Sequence, residues 1–150
     1  MAQPPEPETE ATLYSLATEF LCAAEVLRDA PVLRVNVSLV VYYLLGHAAE
    51  LFLKSSLCKA GVPMKELKYE YGHNLTDLAA RAASVGERQL PNLTNTLALS
   101  ETYFAKRLEY RQQVPATYPP LDLVFQEVRA LGSFTFNALA DFQGAPSRQP

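Results

Sequence analysis

The sequence predicts an all-α protein, an up-and-down bundle of five helices. Three observations carry that expectation. Apolar residues recur at helical spacing through most of the chain, the breaks between those runs carry helix start and stop residues, and the connections are short enough to favour antiparallel neighbours. A chain of 150 residues is one domain's worth, with 49% apolar and 19% charged residues, which suits a core that needs no covalent staples.

Residues 1–8 are rich in proline and glutamate and read as a disordered tail, as do residues 143–150. The bundle proper then covers residues 9–142. Its first helix runs from about Thr9 to Ala30. Thr9 is the N-cap and Thr12 an alternative, and Leu13, Leu16, Phe20, Ala23, Ala24 and Leu27 share one face. Pro31 ends the helix, because the residue before a proline avoids the α region. The second helix spans about Val32 to Ala60. Its opening, VNVSLVV, alternates like a strand and is rich in β-branched residues, but no turn signal follows until Gly61-Val62-Pro63, so a single helix is expected.

A connection follows, with one helical turn at Met64–Lys68. Asn74 caps the third helix, with Asp77 at the third helical position, and Gly86 closes it. The fourth helix runs from about Pro91 to Arg111, with Pro91 in the first turn, where a missing N–H is harmless. QQVPATYPP breaks the chain, and the fifth helix occupies about Leu121 to Phe142.

Composition narrows the function classes. A net charge of −3 argues against a broad phosphate-tracking surface. Cys22 and Cys58, on opposite arms of the first hairpin, would be offset by about 27 Å along it, far beyond disulfide reach. Both read as reduced core thiols. The N-terminus has no basic start and no apolar stretch, so no signal peptide is expected and the location reads as cytoplasmic. Residues 35–53 are long enough to span a bilayer. However, Asn36, Ser38, His47 and Glu50 fall inside that run, and an ionised carboxylate at mid-bilayer costs about 2.5 kcal/mol or more, so no membrane partner is expected.

On a helical wheel His47, Glu50 and Lys54 fall in a wedge of roughly 60° on the second helix, too narrow for a solvated face. The helix should therefore have neighbours on most sides and one polar seam. If short connections make the helices alternate in direction, one end of the bundle collects Lys54, Lys59, Tyr69, Tyr71, His73, Tyr110, Arg111 and Tyr118. Glu50 could pair with Lys54 and also with His73 or Arg111, as a partly buried carboxylate must. Each feature also has a plainer explanation. Glu50 and Lys54 make an ordinary i,i+4 pair, His47 an interior histidine, His73 a loop residue near a helix start, Arg111 a partner for a helix C-terminus, and the tyrosines packing residues. No Gly-rich phosphate loop, nucleophile elbow or H-E-x-x-H stands in the sequence, and two histidines on separate segments give no zinc pattern, so neither metal nor cofactor is implied.

The stretch YYLLGHAAELFLKSSLCKAGVPMKELKYEYGHNLTDLAARAA, residues 42–83, resembles the HEPN family, small helical domains associated with nucleotide or RNA functions. The residues that carry the likeness are Ala48, Glu50 and Lys54 on one helix, an apolar helix end and a glycine, then Gly72, His73, Leu75 and Leu78, and later Tyr110-Arg111 before the last long helix. Their order covers about residues 32–140. The resemblance implies a helical bundle, often a homodimer packed through long helices. Some members are metal-independent ribonucleases using an Arg-x4-6-His motif; here no histidine follows Arg107 or Arg111.

Two functions therefore stand as expectations. The first is a non-catalytic, dimeric binding module for a nucleotide, RNA or partner protein, with Glu50, Lys54, His73, Arg111, Tyr110 and Tyr71 at the ligand. The second is a divergent ribonuclease or nucleotide-transfer enzyme using His73 as acid or base, oriented by Glu50. A purely structural interaction domain is the third alternative.

Overall fold

The computed structural model describes residues 7–30, 39–86, 88–100 and 118–141. Among these residues all regular structure is helical and there is no strand. The elements are α1 (Glu10–Asp29), α2 (Leu39–Lys59), α3 (Met64–Glu66), a π-helical turn (Leu67–Tyr71), α4 (Leu75–Val85), α5 (Thr94–Ala98) and α6 (Leu121–Asp141). The helical turn expected at Met64–Lys68 is present and continues to Tyr71, and among the described residues the expected fourth helix is interrupted at Leu99, so these elements do not reduce to five rods. Residues 32–38, the strand-like opening of the second helix, lie outside the described residues; Leu39–Val41 are helical.

α1 begins as its sequence dictates. Thr9 Oγ1 accepts from the Thr12 N–H at 3.2 Å, and Thr12 Oγ1 accepts from the Thr9 N–H at 2.7 Å, a reciprocal cap in which both threonines take part. The helix ends at Ala30, which turns to extended geometry ahead of Pro31. Its buried stripe is rotated from the expected one. Leu13, Ala17 and Ala24 are buried, whereas Leu16 is 40% exposed and Ala23 faces solvent. The two small buried alanines let α1 lie close along α2, and that contact fixes the rotation rather than the bulk of the leucines. Cys22 is accordingly exposed, not a core thiol. Cys58 is half-buried, and burial, followed by the nearby Glu10 carboxylate, pushes its thiol pKa up.

α2 is the central rod. Every residue from Ala48 to Ser55 is buried, more than two full turns, so the helix is enclosed on all sides as its narrow polar wedge implies. α1 runs antiparallel to it: Ser55 Oγ donates to the Glu10 carbonyl at 2.6 Å, and the Tyr14 ring lies 5.6 Å from Phe52. α6 runs parallel to it. At its start the Tyr42 hydroxyl donates to the Pro119 carbonyl at 2.5 Å, with Tyr42 and Tyr118 stacked; ten residues along α2, Phe52 packs against Gly132 and the Thr135 hydroxyl. The seam between α1 and α6 closes where Arg28 and Arg129 both lie over the buried Phe125 ring and Arg129 Nε donates to Glu25 at 2.9 Å.

Strict alternation therefore fails, and with it the single pole. α4 starts beside Glu50 in the middle of α2 and ends beside Lys59 and Ala60, so it runs in the same sense as α2. The reason is the connection: α3 and the π-turn carry the chain back before α4 begins. Tyr118 sits at the opposite end of α2 from Lys59.

The expected helix from Pro91 starts instead at Thr94. Asn92 Oδ1 accepts from the Thr94 N–H and hydroxyl, and the Glu127 carboxylate on α6 accepts from the N–H groups of Asn95 and Thr96 and from the Asn95 amide, at 2.7–3.2 Å. A carboxylate 31 to 32 residues distant supplies the cap that the local sequence lacks. Glu127→Ala should lower the unfolding free energy by about 1–3 kcal/mol, since it orphans three donors at a nearly buried position, and Glu127→Gln, which keeps an acceptor oxygen, by less. Urea denaturation reads both. No helix among the described residues is long and apolar enough to cross a membrane.

Candidate functional site

The polar seam of α2 converges on Glu50, which is 2% exposed. Lys54 Nζ donates to its Oε1 at 2.7 Å, the i,i+4 pairing that the spacing predicts. His73 Nδ1 lies 3.1 Å from Oε1 and 3.0 Å from Oε2, straddling the carboxylate. His47 Nδ1, one turn before Glu50, lies 3.4 Å from Oε2. One buried carboxylate is thus shared among an ammonium and two imidazoles, and the buried Lys54 charge is matched rather than isolated.

His73 reaches Glu50 because of the unusual backbone ahead of it. Leu67, fully buried, anchors the start of the π-turn, a local widening of the helix that recurs at functional positions. Gly72 follows at φ +51°, a left-handed value that a side chain would resist, and the Asn74 N–H returns to the Tyr71 carbonyl at 2.9 Å. Asn74 then caps α4 as expected: its Oδ1 accepts from the Asp77 N–H at 3.1 Å, while Leu75 and Leu78 insert into the core. Both flanks of the histidine are therefore pinned. Its ring is nonetheless 48% exposed, half in solvent and half on a buried acid.

The chemistry follows from the acceptor. A carboxylate can only accept, so the neutral His73 ring carries its proton on Nδ1 and its basic lone pair on Nε2, on the opposite edge. His47 is placed differently: it packs edge-on against Phe20 at 4.4 Å and lies parallel to Tyr43 at 6.0 Å, as an interior histidine would.

Of the expected site residues, Glu50, Lys54 and His73 meet in one cluster. Tyr71 is half-buried and packs on the core; the exposed aromatic of that segment is Tyr69, at 80%, beside the exposed Lys65 and Lys68. Tyr110 and Arg111 lie outside the described residues. His47 belongs to the cluster although it was not among the ligand candidates, and its i,i+3 spacing to Glu50 was the signal. Among the described residues no group of three or more His, Cys, Asp and Glu side chains could hold a metal ion. No family model, no characterised protein and no solved structure matches the chain.

Proposed function

We propose that this chain is a HEPN-like, homodimeric binding module that takes the phosphate of a nucleotide or of single-stranded RNA at the face carrying His73. The observation that carries the reading is the pinned, half-exposed imidazole on a buried carboxylate. Fixing a histidine at the surface with a left-handed glycine, a π-turn and an internal acid is expensive for a purely packing role, and it presents Nε2 in one direction. Exposed Lys65, Lys68 and Tyr69 on the same segment supply the cations and the flat ring that phosphate and base recognition use, although Lys68 is paired with Glu8 at 3.2 Å. Arg111 and Tyr110 are the further donor and ring in this reading. Val40, 56% exposed at the start of α2, is the apolar surface offered to a second copy.

Calorimetric titration of ATP, GTP and a short RNA tests it. Wild type should bind one of them, with affinity reduced about tenfold in His73→Ala, a loss of about 1.4 kcal/mol, and reduced similarly in Arg111→Ala. Equal or negligible binding by all three proteins removes the reading.

The Glu50–His73 contact also favours a second reading, in which His73 is the acid or base of a metal-independent RNA-cleaving or nucleotide-transfer enzyme and Glu50 orients it. An RNA-cleavage assay in EDTA separates the two. Product that disappears with His73→Ala supports catalysis; binding without product leaves the module.

A further inference from the structure

We propose that an open cleft of about 600 Å³ between α1 and α6 binds a small, neutral, flat aromatic molecule that carries an amide or a ring N–H. Three rings from three helices meet there. Tyr14 of α1 stands 5.6 Å from Phe52 of α2 and 6.0 Å from Phe136 of α6, and both pairs are tilted, at 55° and 45°. Phe52 is buried and closes the floor, whereas Phe136 is 55% exposed and stands at the rim. Gly132 on α6 adds no side chain between the cleft and the Phe52 ring. A further ring laid on this cluster would gain the edge-to-face or offset contacts that aromatic pairs prefer. The volume lies within the roughly 300–1,000 Å³ of small-molecule sites, which combine aromatic walls with a few polar groups.

The charge in the cleft argues for a neutral ligand. Arg129 is the one charged side chain among the described residues that line it, and it is already matched. Its Nε donates to Glu25 at 2.9 Å, and its guanidinium lies 5.3 Å from the centre of the Phe125 ring. A ligand ammonium would be repelled by it, and a ligand carboxylate would have to displace Glu25. The other polar groups are uncharged. Ser133 and Asn137, one turn apart on α6 and both exposed, bring a hydroxyl and a carboxamide, each able to donate and to accept. Across the cleft on α1, the Thr18 hydroxyl already donates to the Tyr14 carbonyl at 3.0 Å. The aromatic body would therefore lie on the rings, with its polar edge along α6. Phe52 follows Glu50 by two residues, about 200° around α2, so the cleft and the His73 cluster lie on opposite sides of the central helix.

Protein NMR of the isotopically labelled full chain, titrated with benzamide and with indole, tests the assignment. Benzoate and benzylamine are the charged controls, and cyclohexanecarboxamide carries the amide without the flat ring. Saturable shifts of the Gly132, Ser133 and Asn137 amide signals are expected, with a Kd of about 1 mM or tighter and binding at least about tenfold weaker for the three controls. Phe136→Ala should weaken binding at least about fivefold, and Ser133→Phe, which fills the cleft, at least about tenfold. Thermal denaturation checks that both variants fold. No saturable shift at those amides up to about 10 mM, equal binding of any control, or an unchanged affinity in folded Phe136→Ala overturns the proposal. Movement of the same signals with protein concentration alone also overturns it, by showing that a second copy of the chain covers the cleft.

Discussion

Glu50→Ala should lower the unfolding free energy by about 3–5 kcal/mol, the largest effect expected of any polar substitution among the described residues. The physical cause is what stays behind. Lys54, 9% exposed, would keep its ammonium with its 2.7 Å partner gone, and His47 and His73 would lose the acceptor that orients them. Replacing the pair together, as Glu50→Leu/Lys54→Met, should recover most of the loss, because an apolar pair of similar volume carries no orphaned charge. His73→Ala should cost no more than about 1 kcal/mol, since its ring is half in solvent and a partly screened contact contributes little. Urea denaturation of the four proteins measures these values, and the nucleotide titrations give them meaning. If Glu50→Ala destabilises while ligand affinity is unmoved in every folded variant, the cluster is a structural tie between α2 and the π-turn, and the proposed module loses its site.

The second large effect belongs to the apolar centre. Phe52, 1% exposed, packs on α1 through Tyr14 and on α6 at Gly132, so Phe52→Ala should cost about 3–5 kcal/mol. Gly132 is the other half of that contact. It sits within α6, where glycine costs about 1 kcal/mol against alanine, and a Cβ there would stand 3.0 Å from Phe52 Cζ. The Phe52 ring is buried directly against that position, so Gly132→Leu should crowd it and cost about 1–3 kcal/mol. In the Phe52→Ala background the same leucine would enter the vacated space and its cost should fall or reverse. A double-mutant cycle by thermal denaturation reads this coupling, and simple additivity would show that the two residues do not share the contact.

What could be read in the sequence was local. The Thr9 N-cap, the Asn74–Asp77 cap and the stop before Pro31 depend on residues within three or four positions, and all three stand as expected, with Thr12 serving as the partner of the Thr9 cap rather than as the alternative to it. The Glu50–Lys54 pair was legible for the same reason. Its link to His73 was legible because a buried carboxylate demands further donors and few were to hand. The errors concern distant partners. Helix direction after Ala60 depends on how far a connection travels, and loop length alone did not reveal that α3 and the π-turn carry the chain back along α2. The face of α1 depends on which side chains allow close approach, so Ala17 and Ala24 prevailed over Leu16. The start of α5 has a local mark in Asn92, but the N–H groups of Asn95 and Thr96 depend on a carboxylate from another helix, which the local sequence does not reveal.

The parallel placement of α2 and α6 has a consequence for biosynthesis. A ribosome delivers the α1–α2 hairpin first, and α1 alone cannot cover α2, because the flank that holds Phe52 and Tyr42 is closed by residues 118–135. That greasy flank stays wet until a segment some eighty residues later has emerged. Completion of the core is therefore a late, non-local event in the folding of this chain.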